Sequence, residues 1–184
     1  MTVARPANRG PGAAAENRRA LVAAAVVVFG EQGIDAPLSA VARRAGVGQG
    51  SLYRHFPDRM SLALAAFEDN LAQLEELAAQ DGVRLDDLLA LITEQTIESV
   101  AFVEIVTATD GDERLDAVTA RVSAALDDAV RDARRRGALR RRTTTAEVLL
   151  AIGMMAALVA KTPADQRRVT ADACWSMLRR GLQP

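Results

Sequence analysis

Apolar residues recur along most of this chain at intervals of three and four positions, the spacing of one face of an α-helix. Glycine, proline and capping residues separate the apolar runs, and the whole pattern predicts an all-α protein of about nine helices. The predicted helices span residues 13–32, 37–45, 49–56, 58–80, 85–97, 99–107, 113–136, 144–160 and 163 onward. A chain of 184 residues is long enough to bury a core in one or two domains.

The segment Ala36–Arg59 predicts two short helices that meet across a tight turn. Pro37 suits the first turn of the first helix, where its missing N–H is not needed. Gly46 ends that helix because glycine adopts the left-handed conformation without steric cost, and Pro57 stops the second. The apolar contacts are Val41, Ala45, Val47, Leu52 and Phe56, with the small Ala42 at the crossing. This is the arrangement of a helix-turn-helix, whose second helix enters the major groove of DNA.

The outward face of the second short helix is predicted to carry the DNA contacts. Leu52 and Phe56 are four positions apart and face the core, which turns the opposite side of the helix outward. The outward set is Gln49, Gly50, Ser51, Tyr53 and Arg54. We expect Gln49 to form paired hydrogen bonds with adenine and Arg54 to address guanine or a phosphate. Gly50 permits close approach to the DNA.

The run Gly50–Pro57 (GSLYRHFP) is followed by the basic Arg59 and a long helix. Through this run, with Gly33 and Val41–Ala42 ahead of it, the segment from Arg19 to Phe67 closely resembles the DNA-binding domain of the TetR family of transcriptional regulators. The resemblance implies DNA contacts at Arg18, Pro37, Gly48, Gln49, Gly50, Ser51, Tyr53, Arg54, His55 and Arg59. Tyr53, His55 and Arg59 are the implied phosphate or groove-wall contacts. Family members commonly carry Ser or Thr where this chain has Pro37 and Gly48.

The resemblance also implies how the chain is divided into domains. We expect a flexible arm over residues 1–12, a three-helix DNA-binding domain over 13–57 and a ligand-binding and dimerisation domain over 58–184. A small-molecule effector of unknown identity is expected between the helices at 58–80 and 113–136. The candidate pocket residues are Phe67, Gln95, Thr96, Ser99, Phe102 and Thr107. For each polar member of this set, a satisfied structural hydroxyl or amide is the alternative.

The segment Val148–Ala160 has no polar face, so a helix here must be covered on every side. Thr144 and Glu147 form a capping box that begins it. We expect a second copy of the chain to cover its outer side, and a simple interior helix in a monomer is the alternative. The last helix carries a second apolar stripe at Val169, Ala173, Met177 and Leu178. The candidate dimer contacts are Leu150, Gly153, Met154, Ala157, Trp175 and Leu178.

Charge is strongly segregated although the chain as a whole carries only −1. Residues 1–60 have a net charge of +4, residues 61–130 of −13 and residues 131–184 of +8. The basic amino-terminal segment favours DNA binding at that end of the chain. The alternative is that the charge distribution is random surface variation. Two roles are open for Arg134–Arg142: solvated cations at a helix end, or contacts to an anion or to DNA. Arg5 and Arg9 of the arm lie either against DNA or in a solubilising tail.

Little in the sequence supports catalysis, a cofactor or a membrane span. His55 is the only histidine and has no partner at a metal-binding or catalytic spacing. Cys174 is the only cysteine, which excludes an intrachain disulfide and fits a reducing cytoplasm. Asp110 and Asp112 resemble a calcium loop too weakly, and a helix cap is the better interpretation. Val148–Ala160 is shorter than the ~20 residues that cross a bilayer.

The pattern and the resemblance together predict a cytoplasmic, homodimeric repressor. It is expected to bind double-stranded DNA at a pseudo-palindromic operator and to be released by a small-molecule effector. One alternative is a sequence-specific DNA binder or activator without ligand control. Another, an enzyme or ligand carrier on a helical scaffold, lacks a phosphate loop, a metal cluster or a nucleophile–base pair in the sequence.

Overall fold

The computed structural model describes residues 11–33, 35–108 and 112–182. Within these ranges it contains nine α-helices and no strand, which confirms the all-α prediction. The helices are α1 Pro11–Gln32, α2 Leu38–Arg44, α3 Gln49–His55, α4 Arg59–Ala78, α5 Leu85–Glu98, α6 Val100–Ala108, α7 Glu113–Arg135, α8 Thr145–Ala160 and α9 Arg167–Leu182, with one 3₁₀ turn at Ala164–Gln166. None of these helices has the length and hydrophobicity that a membrane crossing requires.

The chain divides into two compact units, the first ending at Ala66 and the second beginning at Phe67. The boundary therefore lies inside α4, whereas it was expected ahead of this helix, between residues 57 and 58. Helix α1 begins at Pro11, two positions before the predicted Ala13. Proline is well suited to a first helical turn. Arg5 and Arg9 of the expected arm lie outside the described residues.

The first unit packs α1, α2, α3 and the start of α4 around one apolar core. Its most completely buried side chains are Leu21, Ala25, Val28, Val41, Leu52, Phe56 and Leu62. The turn between α2 and α3 depends on Gly46, whose φ of 66° lies in the left-handed region. The Val47 N–H donates to the Ala42 carbonyl at 3.0 Å and the Gly46 N–H to the Arg43 carbonyl at 3.2 Å. This pair of bonds closes α2 in the manner of a Schellman motif.

The core of the second unit is aliphatic and is built chiefly from α5, α7, α8 and α9. Its most deeply buried side chains include Leu88, Leu126, Val130, Val148, Met155 and Val159. Aromatic residues make up only 3% of the chain, so leucine, valine, methionine and alanine fill this space. The result is a helical body whose interior contains few polar groups.

Two predicted caps are present and fix the starts of α7 and α8. Asp112 accepts a hydrogen bond from the Arg114 N–H at 3.0 Å, and the hydrogen bonds from Arg114 lower the pKa of Asp112 to about 2. Asp110 lies outside the described residues. The Thr144 N–H donates to the Glu147 carboxylate at 2.8 Å, and the Glu147 N–H donates to the Thr144 hydroxyl at 3.2 Å. The capping box predicted ahead of α8 is therefore confirmed.

Replacing Leu126 by alanine should destabilise the second unit, because Leu126 is fully buried on α7 and its removal leaves a cavity. We expect the free energy of unfolding to fall by about 2–5 kcal/mol in urea titrations at a fixed protein concentration. Glu76→Ala on the exposed side of α4 is the matched control and should change it by less than about 0.5 kcal/mol. Equal effects of the two substitutions would show that the core is not organised around Leu126.

Candidate functional site

Helix α3 presents one polar and aromatic face to solvent. Leu52 and Phe56 are almost wholly buried, with 1% and 2% of their surface exposed, as their four-residue spacing predicted. Tyr53 is 53% exposed. Gln49, Gly50 and Arg54 are also exposed, and Ser51 and His55 are half-buried. The side chains predicted to read DNA therefore share one accessible surface, hereafter the α3 face.

Pro37 and Gly48 stand immediately before α2 and α3 and are both exposed. Neither has a side chain that can cap its helix. Instead the Gly48 carbonyl accepts from the Ser51 and Leu52 N–H groups, at 2.9 and 3.1 Å. With no hydroxyl available, polar contacts of these two residues with a bound molecule must come from the main chain.

Arg59 has a structural role that the sequence did not predict. Its Nη1 donates to the Ala36 carbonyl at 2.9 Å, and its guanidinium carbon lies 5.5 Å from the centre of the Phe29 ring. The side chain thus ties the start of α4 to the connection between α1 and α2. These contacts add a structural role to the phosphate contact expected of Arg59, which stays a prediction.

Arg18 lies beside α3 through a different contact. Its guanidinium carbon is 5.3 Å from the centre of the Phe56 ring, in the geometry of a cation–π pair. Arg18 itself is exposed. A positive charge from α1 is therefore held near the carboxyl end of α3, where Phe56 follows its last residue.

Further cations surround the α3 face. Arg43 and Arg44 occupy the last turn of α2 and are exposed, and Arg44 pairs with Glu31 at 3.3 Å. Arg54 adds another charge on α3. Residues 11–60 carry six arginines against four acidic residues, a net charge of +2, and a basic segment of this kind suits a polyanion.

The second unit contains a partly open apolar cavity of about 200 Å³. Five residues expected from the sequence to form a pocket line it: Phe67, Gln95, Thr96, Ser99 and Phe102. The sixth, Thr107, has a side chain outside the described residues. The lining residues that the sequence analysis did not single out as pocket members are Leu71, Leu74, Ile92, Val103, Val118, Val122, Ile152, Gly153 and Ala156. Most of them lie on the inward apolar stripe of their helix, a pattern that an ordinary core also produces, whereas Gly153 was expected in the dimer interface.

The polar groups of the cavity come from one side of α5 and its end. The Thr96 hydroxyl donates to the Ile92 carbonyl at 2.7 Å, and the Gln95 amide donates to the Asn70 carbonyl at 2.9 Å. The Ser99 hydroxyl oxygen accepts from the Asn70 amide at 3.1 Å. The three side chains therefore form hydrogen bonds within the protein, as expected if their role is structural. All three also border the cavity.

Arg121 joins the two helices that flank this cavity. Its guanidinium donates to Glu75 and to Glu68 of α4, each at 2.8 Å, from its position on α7. The bond from Arg121 lowers the pKa of Glu75. The spacing between α4 and α7 is therefore set at the surface as well as by packing, although exposed pairs of this kind contribute little stability.

Helices α8 and α9 leave large apolar side chains in contact with solvent. Exposed positions on α8 recur at Leu150, Gly153, Met154, Ala157 and Leu158, and on α9 at Val169, Ala173 and Met177. Leu150 is 65% and Val169 71% exposed. We call this surface the α8–α9 face. Exposed apolar positions concentrated in this way are typical of a protein interface.

Trp175 and Leu178 do not lie on the exposed part of this surface. Trp175 is buried, and its indole N–H donates to the Thr93 hydroxyl at 2.8 Å. Leu178 is half-buried and packs against the core of the second unit. A buried indole needs a hydrogen-bond acceptor, and Thr93 supplies it. We therefore correct the expectation that Trp175 is a dimer contact: it is a core residue.

No group of three or more potential metal ligands occurs among the described residues. Cys174 is buried, and this burial raises the pKa of its thiol, which disfavours the reactive thiolate. Arg135 and Arg136 pair with Asp132 at 3.2 and 2.6 Å. Part of the basic run at the end of α7 is thus neutralised by its own helix.

Residues 21–66 match the sequence profile of bacterial regulatory proteins of the tetR family. The match spans α1 to α3 and the beginning of α4, the region that carries the α3 face. No curated protein matches the chain in sequence.

Solved structures extend the similarity to nearly the whole chain. The TetR transcriptional regulator SCO0520 from Streptomyces coelicolor is 28% identical, with a TM-score of 0.59, over 91% of this chain and 98% of that one. A TetR-family regulator from Pectobacterium atrosepticum is 19% identical, with a TM-score of 0.66, over 95% and 98%. A gamma-butyrolactone receptor is 21% identical, with a TM-score of 0.62, over 94% and 90%.

Replacing Arg59 by alanine should loosen the first unit, because the Ala36 carbonyl loses its charged donor and Phe29 loses its cation. We expect a loss of about 1–3 kcal/mol, measured as faster amide hydrogen exchange in α2. Arg44→Ala removes only an exposed pair and is the matched control, with an effect below about 1 kcal/mol. Unchanged exchange in Arg59→Ala, combined with weaker DNA binding, would return Arg59 to the phosphate contacts.

Proposed function

Since the chain belongs to the TetR family of regulators, we propose that it is a homodimeric repressor that binds a pseudo-palindromic operator and leaves it when a small molecule binds. Members of this family are DNA-binding regulators and not enzymes. The observation that carries the proposal is the α3 face, where an exposed Gln49, Tyr53 and Arg54 are held by the burial of Leu52 and Phe56. Such a protein acts where the DNA is, and we propose a cytoplasmic location.

In this proposal some residues of the α3 face contact DNA bases and others contact phosphates. Gln49 is at the first position of α3, and the amino-terminal residues of a recognition helix meet the base edges. Its amide can pair with adenine through two hydrogen bonds, and Arg54 reaches guanine or a phosphate. Gly50 has no side chain and permits close approach of the helix to the groove.

The other members of the set position the helix without reading sequence. Tyr53 and His55 contact phosphates, and Ser51 adds a hydroxyl beside them. Arg18 contributes charge from α1 while it packs on Phe56. Gly48 can offer only its backbone N–H, and Pro37, which has no N–H, can make only apolar contact. Arg59 supports DNA binding indirectly, because it holds α4 against the rest of the first unit.

The proposed dimer forms through the α8–α9 face. Two copies of this face provide four helices with apolar side chains on the facing sides, which removes Leu150, Met154, Leu158, Val169 and Met177 from water. Gly153 and Ala157 lie between them and allow close approach of α8 to its counterpart. A two-fold dimer presents two α3 faces, which suits half-sites about 34–36 Å apart.

The proposed effector site is the cavity of the second unit. Phe67 and Leu71 bring α4 into its lining, and the same helix begins in the first unit at Arg59. A ligand that displaces these residues therefore acts on a helix that carries part of both units. One neighbour of the same fold is described as a gamma-butyrolactone receptor, which supports small-molecule control in this fold.

A second candidate is a DNA-binding regulator without ligand control. It is favoured by the size of the cavity, about 200 Å³ against roughly 300–1,000 Å³ for typical ligand sites. A screen for compounds that release operator DNA separates the two candidates. The operator itself comes from selection of bound DNA in a random pool, where a palindrome supports the dimeric regulator and an absence of enrichment rejects both.

Gln49→Ala and Tyr53→Ala should weaken operator binding in different ways. The first should reduce discrimination at one base pair per half-site by ~1–3 kcal/mol, since only Gln49 of the two is expected to read a base. The second should weaken specific and non-specific DNA about equally, because a phosphate contact is independent of sequence. Titrations of the operator, single-base variants of it and a scrambled duplex at one salt concentration measure both effects. Unchanged base preference in Gln49→Ala would refute its assignment.

Leu150→Arg should prevent dimer formation, because it buries an unpaired charge in the apolar α8–α9 face. We expect a monomeric mass in light scattering and a loss of operator affinity of at least about tenfold. Ala72→Arg introduces the same charge on an exposed position of α4 and should remain dimeric. A dimeric Leu150→Arg protein of normal stability would move the interface elsewhere.

A further inference from the structure

We propose that the molecule bound in the cavity is small, uncharged and mainly apolar, about one ring in size, with a single neutral polar group directed at Gln95, Thr96 and Ser99. This inference rests on the proposed function, because it specifies the effector of the same site. Three properties of the cavity support it: the chemistry of its walls, the state of its hydrogen-bonding groups and its volume.

The walls exclude a charged ligand. Eleven of the fourteen lining residues are apolar or glycine, and the three polar ones are neutral: Gln95, Thr96 and Ser99. No carboxylate, ammonium or guanidinium borders the cavity among the described residues. An ion that entered would lose its hydration and gain no counter-charge, at a cost of several kcal/mol. A neutral apolar molecule meets no such penalty.

The polar end of the cavity offers a defined set of hydrogen bonds. The Ser99 oxygen accepts from Asn70, so its own O–H can donate to a ligand acceptor. The Thr96 hydroxyl donates its hydrogen bond to the Ile92 carbonyl and can accept one from a ligand through an oxygen lone pair. Gln95 uses one amide N–H on the Asn70 carbonyl and keeps its side-chain carbonyl. A carbonyl, ester or hydroxyl group in the ligand matches this mixed, neutral set.

The volume limits the ligand to about one ring and a short substituent. An engineered apolar cavity of about 150 Å³ holds one benzene molecule. The present cavity of about 200 Å³ is slightly larger. Phe67 and Phe102 line it with their rings stacked, 4.0 Å between centres and 3° between planes. Because the two rings are in contact, a ligand cannot insert between them. Flat apolar groups can pack against this aromatic pair.

A set of probes of one size tests the charge preference. The probes are acetophenone, ethylbenzene, benzoate and benzylammonium, titrated against the full chain at neutral pH by ligand-observed NMR. We expect acetophenone to bind at least about tenfold more tightly than either ion. Ethylbenzene should bind within about tenfold of acetophenone, since it keeps the ring and lacks the carbonyl.

Variants locate the binding in the cavity. Val122→Phe fills the cavity from α7 and should abolish acetophenone binding. Ser99→Ala should weaken acetophenone about three- to tenfold and leave ethylbenzene unchanged, because only the carbonyl uses the hydroxyl. Ser176→Ala, on the exposed side of α9, is the matched control and should change neither. If Val122→Phe does not fold, the contrast between Ser99→Ala and Ser176→Ala decides the question.

Three results would overturn the inference: tighter binding of benzoate or benzylammonium, no binding of any probe at millimolar concentration, or equal acetophenone binding by wild type and folded Val122→Phe. Operator binding measured on the same preparations separates this inference from the proposed function. Intact operator binding with the wrong probe preference rejects only the ligand class. Absent operator binding with the expected preference rejects the repressor and leaves the ligand class standing.

Discussion

The anchoring of a seven-residue helix by two buried side chains is the constraint on which the proposed function depends. A helix as short as α3 has little stability of its own, so tertiary packing must hold it. Leu52 and Phe56 provide that packing, and because they are four residues apart they leave the opposite side of α3 to solvent. The same contacts that make the helix fold therefore determine which residues can reach DNA.

The arginines of the first unit have two kinds of role: some are exposed to solvent, and others contact the protein itself. Amino-acid composition cannot distinguish the two. Arg54 is exposed on α3, whereas Arg59 is held by a main-chain carbonyl and an aromatic ring. Arg18 combines both, with an exposed position and a cation–π contact to Phe56. Some of the positive charge of the first unit therefore stabilises the fold, and only the remainder is available to DNA phosphates.

In the second unit, helix α8 borders the core, the cavity and solvent because it is apolar on every side. Its buried residues Val148, Met155 and Val159 belong to the core, and its residues Ile152 and Ala156 close the cavity. Its exposed residues, led by Leu150 and Met154, form the proposed dimer surface. Gly153 belongs to both the cavity lining and the exposed side. The proposed effector site and the proposed dimer surface therefore meet at Gly153 of this helix.

Local geometry explains what could be read from the sequence alone. The helices of the described residues, the turn at Gly46, the cap at Thr144 and the orientation of α3 all follow from residues a few positions apart, where helix geometry relates spacing to direction. Long-range packing decided the rest. Arg59 finds its acceptor 23 positions earlier in the chain, and Trp175 finds Thr93 82 positions away. The apolar pattern of α7 and α8 could not tell a cavity wall from a filled core, because both require the same side chains. That difference depends on how closely separate helices approach, which only the tertiary structure determines.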